Sequence, residues 1–136
     1  MTLMNQPSKI STTIAWICRI AAAVILFQTL FFKFTAAPES VYIFTKVGLE
    51  PWGRIGSGVA ELFAAILILI PRTTWLGAGL ALVVMVGAIF SHLTVLGLVV
   101  MDDGGLLFGL ALAVALCSLV LLFLQRRRLP LIGAYL

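Results

Sequence analysis

The sequence predicts an all-α membrane protein: a bundle of four transmembrane helices with a short amphipathic interfacial helix in its first outer loop. Three observations predict it. The 136 residues are 62% hydrophobic and only 10% charged, against roughly 25% charged in a water-soluble domain, and mean hydropathy is +1.20. Four apolar runs approach the roughly 20 residues that cross a hydrocarbon core as a helix. The basic residues flank those runs and form no broad patch. The net charge of +4 therefore reads as a topology signal and not as a nucleic-acid surface.

Residues 1–13 form a polar lead-in, with Ser11 or Thr12 as candidate cap of the first helix. Residues 14–34 are the first span. Lys9 and the small residues Thr35, Ala36 and Ala37 raise a signal peptide as the competing reading. Against it, the apolar run exceeds the roughly 7–15 residues of a signal core and contains Arg19 and Gln28, so an uncleaved span is expected. Ala15, Arg19, Ala22, Leu26, Thr29 and Lys33 recur at steps of four and three and share one face, expected to look inward. Ile25, Phe27, Phe31 and Phe32 suit lipid. Arg19, about one turn in, either joins the interior or snorkels to the headgroups.

Residues 38–47 form the interfacial helix, bracketed by Pro38 at its start, Glu39 in its first turn and Gly48 as its stop. Tyr42 and Trp52 are interfacial anchors, and residues 50–53 turn the chain. The second span, 55–70, ends at Pro71 and is short, so it must stand straight, thin the bilayer or begin a turn early. Gly56, Ala60 and Ala64 make one small-residue ridge, and Gly53, Ser57, Glu61 and Ala65 the next. Small ridges let backbones approach in lipid, where packing holds helices together. Glu61 is therefore expected to face the bundle.

The third span, 75–96, has Ala78, Ala81, Met85, Ala88 and His92 on one face, with Gly79, Val83, Gly87 and Ser91 beside it. The acids of the third loop, Asp102 and Asp103, are expected in water, Asp103 as a helix cap. The fourth span, 104–124, shows a Gly105, Gly109, Ala113 and Cys117 ridge. The basic run at residues 126–128 stops transfer, and 129–136 trails along the interface. Cys18 and Cys117 sit in apolar runs without a CxxC spacing and read as core residues.

With both termini inside, Lys9, Arg19, Arg72 and the 126–128 run lie on the cytoplasmic side, as the positive-inside rule prefers. A rise of about 1.5 Å per residue then puts Lys33 near the outer edge, Glu61 roughly 9 Å below it and His92 roughly 6 Å below it. Ionisable groups inside membrane segments are costly and are functional candidates by default. Lys33, Glu61 and His92 are therefore the candidate ligand-binding or buried polar cluster. Arg19, Thr29 and Ser57 are secondary candidates. No metal site is expected, and the sequence assigns no catalytic residue.

Arg19 and Lys33 on the first helix, then Gly58-Val59-Ala60-Glu61-Leu62, then Pro71-Arg72-Thr73, then Met85, Ala88 and His92, form an ordered set. In order and spacing, over about residues 18–124, it resembles the DoxX family of small bacterial membrane proteins. The resemblance implies a compact four-helix bundle in the bacterial cytoplasmic membrane. It also implies an association with redox or respiratory enzymes, since the family is named for subunits linked to an archaeal quinol oxidase and a thiosulfate:quinone oxidoreductase. Related four-helix families include thiol-redox proteins, but this chain lacks their CxxC. One histidine supports neither a bis-His haem nor a closed metal site.

Two functional readings remain open beside membership of the lipid bilayer. The first is a non-catalytic membrane partner, anchor or assembly subunit of a redox enzyme, favoured by the absence of nucleophile, phosphate loop and metal set. The second is an outward-opening pocket for a quinone or other small lipophile, with Glu61 and His92 at its polar end and Lys33 as counter-charge. A transporter or channel subunit fits less well, because one four-helix unit shows no inverted repeat. A homo-oligomer is compatible with any of these.

Overall fold

The computed structural model describes residues 9–126. The expectations for residues 1–8, for the basic run beyond Arg126 and for the tail at 129–136 lie outside them. The described chain contains α1 (Lys9–Phe34), α2 (Pro38–Lys46), α3 (Trp52–Leu69), α4 (Thr74–Ser91), a π-helical turn (His92–Leu96) and α5 (Leu106–Leu124). Four stretches are long and apolar enough to cross a membrane, α4 together with its π turn counting as one. The chain is a multi-pass membrane protein.

The long helices alternate in direction and close a ring in the order α1, α3, α4, α5, each packed on two neighbours. Its centre is built from small side chains. Ala22, Ala64, Ala65, Ala78 and Ala81 are fully or almost fully buried around Leu26, Ile68, Val114 and Leu121. The bulky side chains point the other way: Phe31, Val83, Phe90, Leu116 and Phe123 are among the exposed apolar residues. Exposed apolar surface on this scale suits lipid and not water, and alanine interiors suit helices held by close approach.

α1 buries Arg19, Ala22, Leu26 and Leu30 and leaves Phe27, Phe31 and Phe32 outside. Its periodicity therefore reads correctly, except that Ile25 packs partly against the core. The helix is already formed at Lys9, so Ser11 and Thr12 lie in its first turns and do not cap it. Arg19 does not snorkel. It is 5% exposed, donates from Nε to Thr74 Oγ1 at 3.1 Å and lies 4.5 Å from the Trp16 ring centroid.

α2 has Pro38 in its first turn and ends in a Schellman turn. Gly48 adopts φ +80°, its N–H bonds to Thr45 O, and Leu49 N–H bonds to Phe44 O. The Glu50–Pro51 peptide bond is cis, and α3 begins at once at Trp52. Its 18 residues measure about 27 Å, so the short second span lengthens by starting a turn early.

The hairpin between α3 and α4 hides its own carbonyls. A helix end leaves four of them without intrahelical partners, which is costly in lipid. Thr73 Oγ1 donates to Leu67 O at 2.9 Å. The fully buried Thr74 hydroxyl lies 2.9 Å from both Ile68 O and Ile70 O, and Arg19 closes the cluster.

α5 differs most from expectation. Its buried residues are Ala111, Val114, Ala115, Ser118 and Leu121, not the Gly105, Gly109, Ala113 and Cys117 ridge. Gly109 is exposed, and Cys117 only half-buried. Leucine on every side leaves Ser118 as the one polar marker of the inner face of α5.

Candidate functional site

The Lys33 side chain descends from the last turn of α1 toward α3. Its ammonium donates to Glu61 Oε2 at 2.5 Å and to Ser57 Oγ at 3.2 Å. Glu61 and Ser57 lie four residues apart on α3, hence on one face. Glu61 is 2% exposed, and the Lys33 side chain 15%, so each needs the other: a charge in low dielectric is held by its partner.

Arg54 sets the register of this pairing. It lies on α3, is buried, and bonds Glu50 with Nε at 2.8 and 3.0 Å. Its Nη1 donates to the backbone oxygen of Lys33, one of the carbonyls left over at the end of α1. α3 thus grips the residue whose side chain it also neutralises. Sequence reading missed Arg54, which looked like an ordinary flanking charge.

His92 sits where α4 passes into the π turn. Such insertions recur at functional sites. Gly97, at φ +78°, turns its carbonyl back to His92 Nδ1 at 2.9 Å. A carbonyl only accepts, so Nδ1 carries the proton. The ring also stands edge-on to Phe108 of α5, with centroids 5.4 Å apart.

These residues share one cavity. A space of about 550 Å³ lies between the helices at the α2 end, within the range of small-ligand sites. Its lining is mostly apolar and comes from all five helices, with Ile43 and Phe44 of α2 and its cap residue Val47 on one side. Lys33, Ser57, Glu61 and His92 supply polar groups, with Thr29 one turn before Lys33 on α1. Thr29 Oγ1 is turned to Leu26 O at 2.9 Å. Arg19 does not line the cavity; it belongs to the Thr74 cluster. No hydrogen bond joins Glu61 to His92 among the described residues. Cys117 on α5 faces Cys18 on α1, away from the cavity. No group of three or more metal-ligating side chains occurs among the described residues.

Asp103 also reaches the lining, although its sequence position suggested water. Its Oδ1 accepts from Val100 N at 3.0 Å and Gly105 N at 2.8 Å, and Oδ2 from Leu107 N at 3.0 Å. It therefore serves the first turn of α5 from two residues before the cap, which is Gly105. Burial works to raise its pKa. The three N–H groups of Leu107, Val100 and Gly105, with the nearby His92, outweigh that and hold it below its ordinary 3.8. Since the unfolded carboxyl then takes a proton first, protonation favours unfolding. Asp103's contribution is full above the ordinary value and should fade as pH drops through the lower folded one. Thermal unfolding in detergent should show a loss of stability below about pH 4 that Asp103→Asn flattens.

A family model described as DoxX matches residues 14–94, well over half of the chain and including Lys33, Glu61 and His92. No curated protein and no solved structure matches it.

Proposed function

The chain belongs to the DoxX family, and from that premise we propose that its membrane bundle binds a small lipophile, of which a quinone is one, in the cavity at the α2 end. One observation carries the reading. Ionisable side chains from three separate stretches, Lys33 of α1, Glu61 of α3 and His92 of the π turn, converge on a cavity whose other walls are mostly apolar. An apolar site with a few placed polar groups suits a ligand with a greasy body and a polar head.

The donor inventory fits such a head. A lysine ammonium has three N–H groups; Glu61 and Ser57 take two of Lys33's. The third is available to an oxygen of the ligand. Glu61 keeps the ammonium charged and aimed, so it acts on the ligand through Lys33.

Protein purified in mild detergent should carry an extractable lipophile, detected by mass spectrometry, which Glu61→Ala and His92→Ala lose. Wild-type protein free of any bound lipid-like mass would refute the reading. A second reading, a non-catalytic partner or anchor of a redox enzyme, draws support from the Lys33–Glu61 pair being satisfied inside the protein. Under it, native membranes would yield a stoichiometric protein partner and no ligand. The flanking charges support an orientation with both termini in the cytoplasm of a bacterium and the cavity near the outer face of the inner membrane.

A further inference from the structure

We infer that Cys18 and Cys117 form a modification site: a thiol pair inside the membrane that a lipid-borne hydroperoxide oxidises to a disulfide, tying the first span of the ring to the last. The inference is independent of any ligand in the cavity.

The cysteines are far apart in sequence, and the fold brings them together. α1 and α5 are neighbours in the ring, and both cysteines pack partly buried against its core. Their thiols lie within electrostatic and hydrogen-bonding reach of each other. Helices about 8–10 Å apart, with Cα atoms about 2.3 Å from each axis, leave roughly 3.5–5.5 Å between facing Cα atoms. That overlaps the roughly 4.4–6.8 Å that a disulfide spans. Cys117 lies about 10 Å of helix before the end of α5 at Leu124, and Cys18 about 13 Å after the start of α1 at Lys9, so the pair sits within the hydrocarbon layer. Neither residue lines the cavity, and their chain neighbours Ile17 and Leu116 are exposed on the apolar outer surface. The access that the thiols keep is therefore from the lipid.

Three fates are open to a thiol pair: ionisation, metal binding and oxidation. A thiolate, or a monovalent soft cation held by two thiolates, would leave net negative charge in an apolar wall, which is costly. Arg19, the nearest cation in sequence, is turned to Thr74, and no third metal-ligating side chain joins the cysteines among the described residues. A disulfide is neutral, and one hydroperoxide balances its formation. The first sulfur attacks the peroxide, the O–O bond breaks, and the sulfur keeps a hydroxyl as a sulfenic acid. Its proton goes to the departing alkoxide, which leaves as the alcohol. The second thiol then attacks that sulfur, the S–S bond forms, and the hydroxyl departs with the second proton as water. Two thiols are oxidised and one hydroperoxide is reduced.

The test treats the full chain in nanodiscs with cumene hydroperoxide, blocks remaining thiols with N-ethylmaleimide under denaturing conditions, and digests with trypsin, which cuts after Arg19 and Arg72 between the two cysteines. The peptides carrying Cys18 and Cys117 should stay joined until a reductant is added, with both maleimide sites lost together. Moving the second thiol one position round α5, Cys117→Ala with Leu116→Cys, turns it to the exposed side. That variant should show at least about 10-fold less joining, because the thiol loses its oriented partner. Wild-type peptides that separate without reductant would overturn the inference, whether the thiols survive or are oxidised singly. So would joining between two chains, seen as a doubled mass before digestion, or equal joining in the shifted variant. The wild-type result stands whether or not the shifted variant folds.

Discussion

Glu61→Ala should destabilise the bundle by about 3–5 kcal/mol, the usual cost of removing one partner from a buried ion pair. The loss is not the attraction alone. Lys33 would remain charged at a site where only Ser57 still accepts from it, and its side chain is only 15% exposed. Glu61→Gln keeps an acceptor and should cost less. Replacing both partners by apolar residues, Lys33→Met with Glu61→Leu, should recover most of the stability, since no charge is then stranded. Reversible unfolding in mixed micelles measures all three. If the double variant proved no more stable than Glu61→Ala, the pair would not be the reason Glu61 matters. Ligand retention separates the two roles further, because the double variant folds but offers no donor to the ligand head.

How much of this was legible in the sequence depends on whether a helix carries a marker. α1 has Arg19, Thr29 and Lys33 among its apolar residues, so its inner face could be read by period alone. α4 has a run of small residues leading to His92 just past its end, which sufficed for Ala78, Ala81 and Met85. The neighbouring Val83 and Gly87 proved to be exposed. α5 has Ser118 on its buried face, but a competing glycine–alanine ridge outweighed that single hydroxyl, and its inner face was misassigned by about half a turn. For the site, sequence could name Lys33, Glu61 and His92, because ionisable groups in apolar spans are conspicuous. It could not supply their connections. The Arg54 grip on the end of α1 and the Gly97 carbonyl behind His92 are backbone contacts that no residue spacing marks. Asp103 was legible as a capping residue, but its place on the cavity wall was not.

Gly77→Ala should be the most damaging methyl addition at the α3–α4 contact, at about 3 kcal/mol. A Cβ at Gly77 would lie 2.6 Å from Ile68 N and 2.7 Å from Ala64 O. Both are backbone atoms of α3, so no rotamer change relieves the clash. The two helices must part, which loosens Ala78 and Ala81 from a core where they have no exposure. In lipid that packing is the attraction itself. Gly58→Ala meets its neighbour nearly as closely, 2.8 Å from Phe34 Cε1. That ring is half-exposed and can swing outward, so the cost should be about 1 kcal/mol. Gly79→Ala and Gly87→Ala meet nothing within 4 Å and should stay within about 0.5 kcal/mol of wild type. The series uses one chemical change, so its order reports only how closely backbones approach. Thermal unfolding that ranked Gly77→Ala beside Gly79→Ala would disprove the contact. Gly77 is remote from the cavity lining. Its alanine variant should lower stability while the protein that does fold keeps its ligand, the reverse of what the apolar double variant does.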